Sequence, residues 1–166
     1  MVVTGSECTG KTTLAVALAT HYDTVFVPEY ARQFVLDKGA APEYLDVNTI
    51  ARGQIALEDE MASRASRVLI QDTDLVSTEV YSRHYFGDCP AWVEDVLAER
   101  AGDLYLLCDI DVPWIPDGDQ RDRGDRREEM HALFRSALVD RKLDFRVIGG
   151  SRDRRLNSAV SMIDTL

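Results

Sequence analysis

The chain has 166 residues and a formal net charge of −10, an acidic balance that argues against a protein that wraps nucleic acid. Hydrophobic residues make up 45% of the chain, enough for one buried core, but no apolar run approaches the ~20 residues of a membrane span. No secretory leader opens the sequence and its three cysteines lack C-x-x-C spacing, so we expect one cytoplasmic domain over residues 1–166, without disulfides or zinc.

Apolar, β-rich runs alternate with helical patterns along the whole chain. Strands are predicted at residues 2–4, 24–27, 68–71, 104–108 and 145–148. Helices are predicted at residues 11–21, 29–39, 48–65, 75–86, 91–100, from 128 to about 139, and from 153 to near the C-terminus. Asn48 is expected to cap the third helix. This alternation predicts an α/β fold with a five-stranded parallel sheet and helices on both faces, whose ligands lie beyond the carboxyl ends of the strands.

The first strand leads into a Walker A motif. The pattern G-x-x-x-x-G-K-T is matched by Gly5-Ser6-Glu7-Cys8-Thr9-Gly10-Lys11-Thr12. The glycines let consecutive N–H groups point at phosphate oxygens, and the helix that follows adds its positive N-terminal end. Lys11 brings a positive charge to the β- and γ-phosphates, and the Thr12 hydroxyl is a magnesium ligand. We therefore expect ATP and Mg²⁺ to bind along the loop, from Gly5 to Thr13.

Carboxylates follow the second and third predicted strands. Asp72 has the position of a Walker B carboxylate, which holds magnesium, and the alternative is that it caps the next helix. Asp74 has the same two interpretations. Glu29 lies where an acceptor hydroxyl could meet the γ-phosphate, so it is a candidate general base, a positioning group, or a residue that only stabilises the first turn of a helix. Tyr30 and Arg32 are candidate substrate contacts, although Tyr30 could equally be a core residue.

The most charged stretch is residues 117–127, which contains two glycines and four arginines. Phosphoryl transfer needs positive charge around the transferred group, and arginine supplies it through bidentate contacts. The stretch is therefore predicted to be a lid, with Arg121 and Arg123 as catalytic candidates, and a solvated loop with internally paired charges is the alternative. Trp114 is expected either to stack on an aromatic ligand or to pack in the core. Gln54, on the third predicted helix, is expected on a solvated face.

Together these motifs resemble the ribosylnicotinamide kinase domain of bifunctional bacterial regulators of NAD biosynthesis. The resemblance covers nearly the whole chain, in order, through G-S-E-C-T-G-K-T, P-E-Y-A-R, Q-D-T-D and W-I-P-D-G-x-x-R. It implies a P-loop NTPase fold of the nucleoside and nucleotide kinase type. It also implies phosphoryl transfer from ATP, with Mg²⁺, to an alcohol acceptor, the 5′-hydroxyl of nicotinamide riboside, which gives nicotinamide mononucleotide.

The resemblance also implies residue roles. Glu29 becomes the acceptor-side carboxylate, Asp72 and Asp74 serve the metal and the substrate, and Gly150 and Arg152 border the adenine pocket. Nothing in the chain resembles the DNA-binding or adenylyltransferase parts of the bifunctional proteins, so a stand-alone kinase is expected. Two alternatives stay open: a kinase for another nucleoside or small alcohol, and an ATP-binding regulatory module whose turnover no small alcohol stimulates.

Overall fold

A single parallel sheet forms the centre of the molecule. The computed structural model describes residues 1–113 and 126–166. The strands of these ranges are β1 (Val2–Thr4), β2 (Phe26–Val27), β3 (Ile70–Asp72), β4 (Tyr105–Cys108) and β5 (Phe145–Ile148). They pair in the order β2-β3-β1-β4-β5, and every pairing is parallel. The predicted α/β fold with a five-stranded parallel sheet is therefore confirmed.

Helices connect the strands in the predicted order. Those of the described ranges are α1 (Lys11–His21), α2 (Tyr30–Lys38), α3 (Val47–Ala62), α4 (Leu75–Phe86), α5 (Ala91–Arg100), α6 (Arg127–Asp140) and α7 (Arg152–Ile163). A short 3₁₀ turn, Tyr44–Asp46, precedes α3. Across residues 1–113 and 126–166, no helix has both the length and the apolar character that crossing a membrane requires.

The prediction that Asn48 caps the third helix is wrong. The 3₁₀ turn begins with a capping box, in which Glu43 and Asp46 each accept a hydrogen bond from the other's backbone N–H. Because α3 continues directly from this turn, Asn48 lies inside the helix. Its side-chain oxygen instead accepts a 2.7 Å hydrogen bond from the indole Nε1–H of Trp92, and this contact ties α3 to α5.

Helices cover both faces of the sheet. Successive strand residues point to opposite faces, so neighbours such as Val2 and Val3 belong to different layers of the core. The layer that contains Val3 is closed by α1 and α7, through Leu14, Leu18, Ala159 and Ile163. The layer that contains Val2 is closed mainly by α4, α5 and α6, through Val76, Leu97, Phe134 and Leu138. The strand β4, whose residues are all buried, is a continuous apolar run of the kind that could be found in the sequence.

The register of the sheet determines where the functional loops meet. Val3 of β1 pairs with Asp72 of β3, and Thr4 pairs with Leu107 of β4. Because all five strands of the described residues run in the same direction, their carboxyl ends share one edge. The loop after β1 therefore starts between the ends of β3 and β4.

Candidate active site

The P-loop, residues 5–12, lies at the centre of this edge. Gly5 has a φ of 127°, and a Cβ atom there would lie 3.1 Å from the carbonyl oxygen of Cys108, so the position requires glycine. Within the loop, Thr9 Oγ1 and Lys11 Nζ both donate to the carbonyl of Ser6, at 2.8 and 2.9 Å. The second of these bonds holds the Lys11 ammonium group against the loop.

Helix α1 presents its N-terminus at the end of the loop. Its N-cap is Gly10, in a left-handed conformation with a φ of 83°, and no side chain of the described residues caps the helix there. First-turn N–H groups without a side-chain acceptor are suited to bind an anion. Glu7 and Cys8 are half-buried in the loop, and Thr13 is exposed on the first turn. The arrangement is the phosphate cradle that the motif predicts, and contact of these residues with ATP stays a prediction.

Asp72 lies directly beside the P-loop. The residue is 2% exposed, and its Oδ2 accepts a 2.5 Å hydrogen bond from Thr12 Oγ1. Its Oδ1 is buried and has no hydrogen-bond partner among the described residues. Burial raises the pKa of Asp72, and the hydrogen bond from Thr12 opposes this shift. A buried carboxylate oxygen beside a hydroxyl is a suitable donor set for Mg²⁺, so these residues fit the predicted metal.

Glu29 is the N-cap residue of α2, and its carboxylate makes no capping hydrogen bond within the described residues. Instead, the carboxylate lies 3.6 Å from the guanidinium of Arg32. After burial and the Thr12 hydrogen bond, the next influences on the pKa of Asp72 are Glu29, which raises it, and Lys11 and Arg32, which lower it. The two carboxylates and the two cations therefore lie close enough to interact electrostatically at the edge of the sheet. The sequence predicted all four of these residues for the site.

Tyr30 and Gln54 form a contact that the sequence analysis missed. Gln54 is 3% exposed, and its Oε1 accepts a 2.9 Å hydrogen bond from the backbone N–H of Tyr30. The expectation that Gln54 lies on a solvated face is wrong. The ring of Tyr30 packs on Gly53, where a Cβ atom would come within 2.2 Å of the ring. The available signal was Gly53 itself, because a glycine inside a helix often marks a close approach.

Asp74 lies in a separate buried acidic cluster with Glu58. Its Oδ1 accepts a hydrogen bond from the N–H of Val76 at 3.0 Å, and its Oδ2 accepts one from the hydroxyl of Tyr105 at 2.6 Å. Glu58, on α3, lies 3.3 Å from the guanidinium of Arg100. Both oxygens of Asp74 are thus engaged within the protein as a cap of α4 and a partner of Tyr105. Its substrate contact stays a prediction.

The acidic cluster should make stability depend on pH. Burial first, and then the charge of Asp74, raises the pKa of Glu58 from 4.5 to about 7, although Arg100 lowers it. Burial raises the pKa of Asp74 from 3.8 to about 6. Between pH 4 and 7 the folded protein therefore binds more protons than the unfolded chain, so its unfolding free energy falls as the pH rises through that window. Glu58→Gln removes one of these titrations and should flatten the curve, stabilising the protein at pH 8 by up to about 3 kcal/mol.

Urea unfolding of both proteins from pH 4 to pH 8, followed by circular dichroism, measures this effect. The matched control is Asp59→Asn, because Asp59 also contacts Arg100 but is exposed. The control should keep the pH dependence of the unmodified protein. An equal slope in the Glu58→Gln protein would mean that Glu58 does not titrate in this window.

On the other side of the P-loop, Arg155 of α7 joins three segments. The residue is 4% exposed. Its guanidinium donates to the carbonyls of Thr9 at 2.6 Å and of Gly150 and Asp109 at 3.1 Å, and it forms an ion pair with Asp111. The N–H of Gly150 also donates to Asp111. The loop after β5 is therefore connected to the P-loop through Arg155, a residue that the sequence analysis did not single out.

The predicted adenine-side and lid residues are only partly described. Gly150 lies in the network around Arg155, and Arg152 is exposed on the first turn of α7. Trp114, Arg121 and Arg123 lie outside the described residues. Arg127, the last residue of the predicted lid, donates to the carbonyl of Val112 at 2.6 Å and to that of Cys8, in the P-loop, at 3.1 Å.

Known proteins resemble this chain along most of its length. The trifunctional NAD biosynthesis/regulator protein NadR of Escherichia coli (strain K12) is 29% identical over 170 residues, which cover 98% of this chain and 41% of that protein. The chain thus spans about two fifths of this curated relative. A solved NadR protein in complex with NR has a TM-score of 0.86 and 24% identity, covering 99% of this chain and 50% of the other.

Two further solved structures share the fold. A NadR protein in complex with NAD and AMP-PNP has a TM-score of 0.83 and 22% identity, covering 99% of this chain and 48% of the other. A deoxyadenosine kinase from M. mycoides with bound dCTP has a TM-score of 0.57 and 8% identity, and each chain is covered completely (100%). These matches confirm the resemblance to a ribosylnicotinamide kinase domain and the P-loop fold of nucleoside kinases. A family model described as an AAA domain matches residues 1–155, so the chain belongs to the AAA domain family.

Proposed function

We propose that the chain is a cytoplasmic, ATP-dependent kinase that phosphorylates the 5′-hydroxyl of nicotinamide riboside and forms nicotinamide mononucleotide. The observation that carries this proposal is the group of charged side chains at the carboxyl edge of the sheet: Lys11 and Asp72 are bonded to the P-loop, and Glu29 lies near enough to Asp72 to raise its pKa. The similarity to NadR, solved with NR and with AMP-PNP, supports the riboside as acceptor and ATP as donor.

The donor side of the proposed reaction belongs to the P-loop. Its backbone N–H groups and the N-terminus of α1 bind the phosphates of ATP. The Lys11 ammonium neutralises charge that develops on the transferred group, and Arg121 and Arg123 complete the positive surroundings. Mg²⁺, when bound, supplies positive charge between the phosphates, and Thr12 and Asp72 are the residues that would hold it. Gly150 and Arg152 border the adenine ring.

The acceptor side belongs to the start of α2. The Glu29 carboxylate does not cap the helix within the described residues, so it is available to the hydroxyl of the riboside. It accepts the hydroxyl proton, or orients the hydroxyl for in-line attack on the γ-phosphate. Tyr30, Arg32, Asp74 and Trp114 are the further candidate substrate contacts. The bound riboside would take the place of water beside the γ-phosphate, which matters because water competes with the riboside for the phosphoryl group.

The deciding experiment is ATP turnover with and without nicotinamide riboside, with the product identified by mass. We expect riboside-dependent ADP release and a product with the mass of nicotinamide mononucleotide. A panel of purine and pyrimidine nucleosides is assayed in parallel. If one of these nucleosides is phosphorylated and the riboside is not, that nucleoside replaces the riboside as the proposed acceptor. ATP binding whose turnover no alcohol stimulates would favour the regulatory module.

Glu29→Gln tests the acceptor side of the site. Because the amide cannot accept the hydroxyl proton, we expect kcat to fall by roughly 10²- to 10⁴-fold if Glu29 is the general base. The KM for ATP should stay near its original value, since the P-loop is unchanged. Steady-state kinetics with the riboside measure both quantities. Asp37→Asn, an exposed change on the same helix, is the control, and a loss in Glu29→Gln no larger than in this control would contradict the role.

A further inference from the structure

The start of α2 lacks the capping group that a helix normally has. The first N–H groups of a helix need acceptors, and these usually come from a Ser, Thr, Asp or Asn side chain at the N-cap. In α2 the N-cap residue is Glu29, which makes no such bond within the described residues. If its carboxylate turned back to the helix, it would be lost to the substrate. Another residue must therefore supply an acceptor.

Gln54, on α3, supplies it. Its Oε1 accepts the N–H of Tyr30, the first residue of α2, at 2.9 Å. An unsatisfied buried amide N–H or carbonyl oxygen costs about 1–3 kcal/mol, so this bond holds the start of α2 to α3. The Nε2 atom of Gln54 is also buried but has no hydrogen-bond partner among the described residues. The bond to Tyr30 is therefore the contact that fixes the Gln54 oxygen toward α2.

Gly53 contacts the side chain of Tyr30, the residue whose backbone N–H is bonded to Gln54. The Tyr30 ring lies so close to Gly53 that a Cβ atom there would be 2.2, 2.3 and 2.5 Å from three ring atoms. Such contacts are far shorter than van der Waals distance, so any side chain at position 53 would displace the ring. Two consecutive residues of α3 therefore fix both the backbone and the ring of the residue that follows Glu29.

We propose that Gly53 and Gln54 are positioning residues for Glu29: they anchor the start of α2 so that the Glu29 carboxylate stays free to face the acceptor alcohol. This inference rests on the proposed kinase function. We therefore expect changes at Gly53 and Gln54 to lower kcat/KM for the riboside and to leave ATP binding unchanged. Neither residue takes part in the P-loop contacts described above.

The test compares Gln54→Met, which keeps the length of the side chain but removes the acceptor, with Gln54→Glu, which keeps an oxygen. A misplacement of about 1 Å costs on the order of 10²-fold in rate, so we expect kcat/KM for the riboside to fall about 10²-fold in Gln54→Met. The KM for ATP and acceptor-independent ATP hydrolysis should change less than about twofold. Gln54→Glu, assayed at pH 6, where Glu58 holds a proton, should recover most of the loss. Glu60→Gln, exposed on α3, is the control.

A double-mutant cycle separates positioning from a general structural effect. If Gln54 acts through Glu29, Gln54→Met should cost little further activity in the Glu29→Gln protein. The same fold-loss in both backgrounds would overturn the inference, as would equal losses for ATP and riboside. Exchange of the Tyr30 amide hydrogen, followed by NMR, should be faster in Gln54→Met, and unchanged exchange would also overturn it.

Failure of the proposed function gives a different result. If the unmodified protein phosphorylates another nucleoside of the panel, the riboside assignment fails and the cycle is run with that acceptor. If the unmodified protein phosphorylates no alcohol of the panel, the kinase function and the positioning role are overturned together. If the unmodified protein is an active kinase but the activity losses of Gln54→Met and Glu29→Gln are additive, the positioning role alone is overturned.

Discussion

Replacement of Lys11 by Ala is expected to lower kcat by about 10³-fold, since removal of one group that stabilises transition-state charge costs about that much. Among residues 1–113 and 126–166, the ammonium makes a single hydrogen bond, to the Ser6 carbonyl at 2.9 Å. Loss of this part-buried hydrogen bond costs stability only about 0.5–1.5 kcal/mol, so the fold should survive. Steady-state kinetics and thermal unfolding measure the two effects.

Two variants accompany this measurement. Lys11→Arg keeps the charge but replaces a compact ammonium by a planar fork, so it should not restore activity. Lys38→Ala removes a lysine at the far end of α2, where it pairs with Asp46, and should leave kcat unchanged. Near-normal turnover in Lys11→Ala would show that the P-loop does not hold the transferred phosphate.

Arg155→Met should destabilise the protein by about 3–5 kcal/mol, because three backbone carbonyls lose their charged donor and each unsatisfied buried acceptor costs about 1–3 kcal/mol. The change leaves Asp111 without its ion-pair partner and removes the donor from three backbone carbonyls, among them that of Thr9 in the P-loop. For a chain of this size, such a loss lowers the Tm by about 10 °C. Chemical and thermal unfolding measure it, and the KM for ATP should rise because Thr9 loses its support.

The controls for this variant use the same helix and the same ion pair. Arg154→Met replaces an exposed neighbour and should change stability by less than about 0.5 kcal/mol. Asp111→Asn alone should cost much less stability than Arg155→Met, because the Asp111 side chain is exposed and an exposed ion pair contributes at most about 1 kcal/mol. An Arg155→Met protein as stable as the Arg154→Met protein would show that the network contributes little to the fold.

The sheet and the phosphate-binding loop could be predicted because their signals are local. A strand buried on both faces, such as Tyr105–Cys108, is a continuous apolar run. The Walker A pattern fixes the turn between β1 and α1 within eight residues, and parallel strands bring Glu29 and Asp72 to the same edge. Where a local signal competed with another, the prediction failed: Asn48 has a good capping side chain, but a capping box at Glu43 starts the segment earlier.

The supporting residues could not be predicted because their partners are distant in sequence. Gln54 bonds to a residue 24 positions away, and Arg155 bonds to one 146 positions away. A polar side chain on a helix is normally predicted to be exposed to solvent unless its partner is known. The burial of Gln54 and Arg155 therefore could not be predicted from the type of either residue. Asp74 shows the same limit, because the hydroxyl that donates to it belongs to Tyr105, the first residue of the apolar strand β4.

The central position of β1 has a consequence for synthesis on the ribosome. This strand leaves the ribosome before both of its neighbours in the sheet, β3 and β4, so it stays unpaired until the chain has been synthesised as far as Cys108. The loop that follows β1 waits longer still, because Arg155 on the last helix of the described residues holds Thr9. Nascent chains should therefore acquire the nucleotide cradle only after α7 has been synthesised, and ATP can then stabilise the folded domain but not its precursors.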